Sequence, residues 1–123
     1  MKGRPIKTWE EDYARETVLL DRRDDKETVR LQAIRVGKIG FAAAPCEMYG
    51  GTGLTIKDDS PFPTTMVVGL ANGYSGYLPP PDQFQYGGYT TWRARTSMLE
   101  HQAEPKIRRE LKRLLKKTAA GAR

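Results

Sequence analysis

Two apolar runs, each followed closely by functional side chains among glycines and prolines, constrain this chain more than any other feature. Phe41–Ala44 is small and apolar, and Thr65–Ala71 is apolar with β-branched residues, so both predict buried strands. Glu47 comes shortly after the first run, and Tyr74 and Tyr77 come shortly after the second. In an open α/β sheet, ligands bind outside the carboxyl ends of the strands. We therefore expect these side chains to converge on one crevice.

The remaining patterns predict an α/β fold built around a small mixed sheet. Apolar and polar residues roughly alternate on both sides of a Gly-Lys turn, which predicts a hairpin near 28–44. A further strand is expected near 64–71. Thr8 stands three residues before Glu11, the spacing of a capping box at a helix start. The predicted helices lie at about 9–20, 48–57 and 106–118, and the first has one apolar face, because Trp9, Tyr13 and Thr17/Leu20 recur at helical spacing.

Length and composition indicate one domain or part of one. The chain has 123 residues, and its single cysteine excludes an internal disulfide. No apolar stretch approaches the roughly 20 residues that span a bilayer. Met1–Glu11 is polar and charged and lacks the pattern of a secretory signal, which leaves the localisation open. The strands that begin near Ile39 and Thr64 are expected to need neighbouring strands from sequence outside this chain.

The positive charge is concentrated in the C-terminal segment 105–123. Eight Lys and Arg residues stand there against the single acidic Glu110, in a chain of net charge +6. The segment contains no aromatic residue, whereas nucleic-acid sites usually combine basic and aromatic side chains. A run of charge is most often a solvated helix face. One functional hypothesis is nevertheless a small non-catalytic interaction module, whose basic helix binds an acidic partner or RNA.

A second hypothesis comes from three short motifs in fixed order. They are Pro45-Cys46-Glu47, Asn72-Gly73-Tyr74-Ser75-Gly76-Tyr77, and Tyr89, twelve residues after Tyr77. With these motifs, segment 31–107 resembles the C-terminal part of the catalytic domain of neutral/alkaline non-lysosomal ceramidases and their bacterial relatives. That family has Pro-x-Glu after one strand, Asn-x-Tyr-x-x-Tyr after another, and a further tyrosine at the same spacing.

The resemblance implies a zinc amidohydrolase that cleaves the N-acyl amide bond of ceramide or of another lipid-like substrate. By position, Glu47 and Tyr77 match zinc ligands, and Tyr89 matches a catalytic phenol near the scissile carbonyl. Tyr74 and Asn72 fall where substrate-binding residues are expected. The family's two metal-binding histidines have no counterpart here, because His101 does not match a ligand position. The resemblance therefore implies an incomplete zinc site and a chain that is inactive alone.

Each candidate residue also has a structural interpretation. Glu47 could be a carboxylate that is stabilised by the N-terminus of a helix. The tyrosines could be amphipathic residues that bury the ring and keep the hydroxyl group in water. Asn72 could shape its turn through side-chain bonds to backbone. Cys46 replaces the family's usual glycine and is expected to be a small buried hydrophobe. His101 is expected on the surface.

Overall fold

The computed structural model describes residues 5–121. They form three α-helices and five strands, with a 3-10 helix at Pro81–Tyr86. The elements in chain order are α1 (Trp9–Asp21), β1 (Gln32–Val36), β2 (Ile39–Ala43), β3 (Glu47–Met48), α2 (Gly50–Asp58), β4 (Thr64–Val68), β5 (Tyr77–Leu78) and α3 (Ala103–Ala120). The expected α/β class with a small mixed sheet is confirmed.

The main sheet has three strands in the order β1-β2-β4. β1 and β2 are antiparallel and form the predicted hairpin, with Val36 opposite Ile39. β4 pairs parallel to β2, with Ile39 opposite Thr64. The parallel pairing requires a crossover, which α2 provides. The short strands β3 and β5 form a second, parallel pair just beyond this sheet.

Helices α2 and α3 cover one face of the main sheet, and the core lies between them. Ala42 in β2 and Leu111 and Leu115 in α3 are fully buried in this core. The leucines recur at helical spacing, which gives α3 its apolar stripe. The ring of Phe62 lies directly over Gly40, where even a methyl group would collide with it. This close approach requires glycine at position 40.

The opposite face of the main sheet is apolar and partly exposed. Ladder partners share a face, so Ile34 lies beside Phe41 and Phe41 beside Met66. We call this surface the open face and define it by its six large apolar residues, Ile34, Val36, Ile39, Phe41, Met66 and Val68. Four of them, Ile34, Val36, Met66 and Val68, are at least 40% exposed.

Two expectations need correction. The strand predicted near 64–71 is β4, but it ends at Val68, and only Thr65 within it is buried. It lies at the edge of the main sheet. Only one of its faces is covered, because the apolar residues on the other face meet no second layer in the described chain. In the hairpin near 28–44, the first strand begins at Gln32, and the preceding Val29 packs on the core without strand pairing.

The N-terminal helix α1 forms where predicted but packs differently from expectation. Thr8 Oγ1 accepts a hydrogen bond from the Glu11 amide at 3.3 Å, which caps the first turn. No residue of α1 is buried, although an apolar face was expected. The helix lies on segment 92–98 through a bidentate pair between Glu16 and Arg95. Its attachment combines this ion pair with the ring contact between Tyr13 and Trp92.

Helix α3 extends slightly beyond its predicted bounds of 106–118, from Ala103 to Ala120. It carries most of the basic segment 105–123, whose last two residues lie outside the described part of the chain. None of the helices within residues 5–121 is long and apolar enough to cross a membrane.

Candidate functional site

Glu47 and Tyr77 lie side by side on the second pair of strands. They are direct partners in the parallel ladder of β3 and β5, and the Glu47 N–H donates to the Gly76 carbonyl at 3.0 Å. Paired residues of a ladder place their side chains on the same face. The expected convergence of these two side chains is therefore found.

Backbone hydrogen bonds extend from the main sheet into the two turns that carry these residues. The Leu70 N–H donates to the Cys46 carbonyl at 3.1 Å, and the Ser75 N–H donates to the Pro45 carbonyl at 2.6 Å. The segments that follow β2 and β4 therefore stay paired with each other beyond the sheet. This is why residues 30 positions apart in sequence meet at one point.

Gly76 sets the position of Tyr77. Its φ of +78° lies in the left-handed region, and an added Cβ would lie 2.5 Å from the Thr96 carbonyl oxygen. That oxygen accepts a hydrogen bond from the Tyr77 N–H at 3.0 Å. Only glycine combines this backbone angle with this close approach. The glycine of the Tyr-x-x-Tyr motif therefore fixes β5 between Glu47 and segment 96–97.

Tyr89 joins the pair through its ring. The ring centroids of Tyr77 and Tyr89 are 5.5 Å apart in an edge-to-face arrangement. The following residue anchors the loop, because Thr90 Oγ1 and the Tyr49 hydroxyl share a hydrogen bond of 2.6 Å and Ser97 Oγ donates to the Thr90 carbonyl. Tyr89 itself is 57% exposed. Its phenol is accessible while its backbone is fixed.

Burial and the nearby carboxylate keep the phenols of Tyr77 and Tyr74 protonated. Burial raises the pKa of Tyr77 above its usual value, and the negative charge of Glu47 raises it further, with smaller effects from neighbouring tyrosines. The pKa of Tyr74 is raised in the same way, by burial first and then by Glu47. At neutral pH these hydroxyl groups are therefore hydrogen-bond donors beside a carboxylate.

Glu47 and Tyr77 are half-buried in this site, and Tyr89 is exposed. A cavity of about 870 Å³ lies elsewhere, between segments 20–29 and 93–107. A smaller groove of about 470 Å³ is lined by Tyr74 together with Tyr13, Glu16 and Arg95. Glu47, Tyr77 and Tyr89 line neither space.

The conformation of Asn72 fits a role in shaping its turn. Its φ of +61° is left-handed, which asparagine tolerates better than most residues. Its Nδ2 donates to Gln32 Oε1 at 3.2 Å, which ties the turn to the first strand of the sheet. A substrate-binding role for Asn72 or for Tyr74 stays a prediction.

Two residues near the site, Tyr13 and Glu27, were not predicted from the sequence. Tyr13 in α1 packs edge-to-face on Trp92, with ring centroids 4.9 Å apart, and its phenol interacts electrostatically with that of Tyr89. Glu27 accepts a hydrogen bond from Ser75 Oγ at 3.3 Å. No local sequence pattern predicts these contacts, because they join segments that are far apart in sequence. From the sequence, Tyr13 could be interpreted only as part of the apolar face of α1.

Cys46 and His101 take the positions expected of them. Cys46 is fully buried, and burial, together with the charge of Glu27, raises the pKa of its thiol to about 11. A thiol with so high a pKa is a poor nucleophile at neutral pH. His101 is exposed, and its ring centroid lies 4.3 Å from that of Phe84.

Ion pairs neutralise much of the basic helix α3. Within residues 5–121, four of its seven basic side chains pair with carboxylates. The best buried of these acids is Glu104, which accepts from Arg108 Nε and from Thr52 Oγ1, each at 2.8 Å. The surface charge open to an acidic partner is correspondingly smaller than the sequence suggests.

The oxygen atoms of Glu47 and Tyr77 determine which ligands this site could bind. Glu47 and Tyr77 offer one carboxylate and one phenol on adjacent strands, and both oxygen types are possible ligands of a divalent metal. Within residues 5–121, no group of three or more His, Cys, Asp or Glu side chains is placed to hold a metal ion. A metal-binding role for Glu47 and Tyr77 stays a prediction.

Comparisons of the chain with protein-family models, with curated proteins and with solved structures gave no match.

Proposed function

We propose that this chain is the C-terminal part of the catalytic domain of a ceramidase-like zinc-dependent amidohydrolase. The reaction is hydrolysis of the N-acyl amide bond of a lipid-like substrate. The observation that carries the proposal is the direct pairing of Glu47 with Tyr77, with the ring of Tyr89 against Tyr77. These are the three residues at which the motif resemblance implies zinc ligands and a catalytic phenol.

Glu47 and Tyr77 would hold the metal from this chain. Zinc, when bound, lowers the pKa of a water molecule and polarises the amide carbonyl. Tyr77 must lose its proton to act as a phenolate ligand, and its raised pKa opposes that loss in the absence of a cation. We therefore expect Tyr77 to bind a metal weakly unless further ligands are supplied.

Tyr89 has the properties of an oxyanion-stabilising donor. When water adds to an amide carbonyl, negative charge develops on the carbonyl oxygen, and a fixed O–H donor stabilises that charge. The Tyr89 phenol is exposed to an incoming substrate while Thr90 bonds fix its loop. The Tyr77 ring supports the Tyr89 ring from one side.

This division of roles implies that the chain is inactive alone. Two oxygen ligands do not form the three-ligand site of a catalytic zinc, and without the metal the attacking water keeps its high pKa. The hydrolase reaction would require a polypeptide that supplies the missing nitrogen ligands. The stretch of DNA that precedes the codon for Met1 offers a direct check, because an in-frame or frameshifted continuation with histidine-rich motifs would support the proposal.

A zinc titration followed by two-dimensional NMR tests the metal site in the chain itself. We expect weak, saturable shifts at Glu47 and Tyr77 that are lost in Glu47→Gln and reduced in Tyr77→Phe. The matched control is Tyr86→Phe, because Tyr86 is 75% exposed and belongs to the 3-10 helix, outside the proposed site. Shifts confined to His101, or tight binding of one zinc that both variants retain, would contradict the proposal.

A further inference from the structure

The open face of the main sheet is a surface feature that the proposed function does not use. Val36 is 60% exposed, Met66 50% and Ile34 45%, and ladder pairing places them in neighbouring rows around Phe41. Isolated exposed apolar residues are ordinary, but a contiguous apolar patch usually marks an interaction site. Parallel strand pairs such as β2 and β4 are normally covered on both faces.

The chemistry of this face limits what can cover it. In the three described strands, no charged side chain lies on the face, and the polar Gln32 and Thr64 stand at its ends. A charged partner would find no complementary group there. An uncharged and apolar surface is instead compatible with a copy of itself, since like charges do not meet across the contact.

The location of the positive charge also favours self-association. Helix α3, with seven basic side chains, packs on the opposite face of the same sheet. If two copies stack sheet against sheet, about 10 Å apart, the α3 helices become the outermost layers. The repulsion expected between two chains of net charge +6 is thereby kept small.

The size of the face sets the strength of the contact. Three strands of five residues cover on the order of 250 Å², at about 4.8 Å between strands and about 3.3 Å per residue. Two copies stacked on this face would bury on the order of 500–1,000 Å² in total, at or below the low end of specific interfaces. Such an interface supports weak and reversible association.

We propose that the open face is a self-association surface on which a second copy of this chain stacks, sheet against sheet, to form a weak dimer. The inference concerns the face opposite the helices and does not depend on the metal site. The contact is apolar, so raising the ionic strength leaves it unchanged or strengthens it by screening the net charge.

Sedimentation equilibrium of the full chain over a concentration series tests this proposal, with dilution NMR as a second measurement. We expect a reversible monomer–dimer equilibrium, with concentration-dependent shifts at Ile34, Phe41 and Met66. Met66→Lys places two like charges within the contact and should raise the dissociation constant by about tenfold or more. Because Met66 is already half exposed, the variant should fold, which circular dichroism at low concentration verifies.

The matched control is Leu54→Lys. Leu54 is 62% exposed on α2, which lies on the covered side of the sheet, and the substitution adds the same charge. It should leave the dimer unchanged. A chain that stays monomeric at every concentration would overturn the proposal. That result would indicate that a different polypeptide covers the open face. A dimer that resists Met66→Lys, or whose shifts are confined to the edge amides of β1 and β4, would overturn it as well.

Discussion

Glu47 and Tyr77 occupy opposed positions in a parallel ladder, so a carboxylate stands beside a partly buried phenol. The arrangement couples the charge of Glu47 to the titration of Tyr77, because that charge is, after burial, one of the causes of the raised pKa of Tyr77. This coupling can be measured whether or not a metal is bound.

Glu47→Gln should lower the pKa of both Tyr77 and Tyr74. The substitution removes the negative charge that disfavours each tyrosinate but leaves their burial, so both values should stay above the ordinary value. Ultraviolet difference titration of tyrosinate formation, assigned with Tyr77→Phe and Tyr74→Phe, measures the change. Glu100→Gln is the control, since Glu100 is an exposed partner of Lys106 on the surface. Unchanged tyrosine titration in Glu47→Gln would show that the two groups are farther apart than the ladder indicates.

Gly76→Ala should destabilise the fold and displace Tyr77. The new Cβ would meet the Thr96 carbonyl oxygen, and the residue would have to keep a φ of +78°, so we expect a loss of about 2–4 kcal/mol. Denaturant unfolding measures the free energy, and NMR shifts at Glu47 report the displacement. Gly53→Ala in α2 is the matched control, since its Cβ would meet no atom within 4 Å. It should raise stability by about 0.5–1 kcal/mol, because alanine is the better helix former.

The buried thiol of Cys46 should make stability fall in alkaline solution. Its folded-state pKa of about 11 lies above the ordinary value of 9.0, so the unfolded chain loses this proton first. Stability from this source is complete below about pH 9 and decreases toward pH 11, by about 1.4 kcal/mol per pH unit at most.

Unfolding measured across this pH range should show a shallower decline in Cys46→Ala than in the wild type. Native Cys46 should also react slowly with iodoacetamide at neutral pH and fully once denatured. Rapid alkylation of the folded chain, or an identical alkaline decline in the variant, would contradict the buried position of the thiol.

Helix α1 should open before the rest of the fold. None of its residues is buried, whereas Leu111 in α3 is fully buried. Hydrogen exchange should be fast in α1 and slow around Leu111. Trp92→Ala, which removes the ring against Tyr13, should accelerate exchange in α1 while leaving α3 protected. Trp9→Ala is the control, since Trp9 is 75% exposed, and it should change exchange little. Equal protection of both helices would contradict the weak attachment.

The sequence by itself determined the three helices, the strands of the main sheet and the proximity of Glu47 to Tyr77. The capping residue Thr8, the apolar stripe of α3 and the alternation around the hairpin act within a few residues, so each element is readable from its own segment. Glu47 and Tyr77 each follow one of two apolar runs that pair in the sheet, so their proximity follows from the order of motif and strand.

Only the tertiary structure decided which sheet face is covered, where α1 lies and which residues support the site. β4 is apolar on both sides, and its sequence does not distinguish the side under α2 from the open face. The contacts that settle such questions join distant segments, such as Glu16 to Arg95 across 79 positions and Ser75 to Glu27 across 48. Local periodicity carries no information about pairings of this range, because they depend on how whole elements pack.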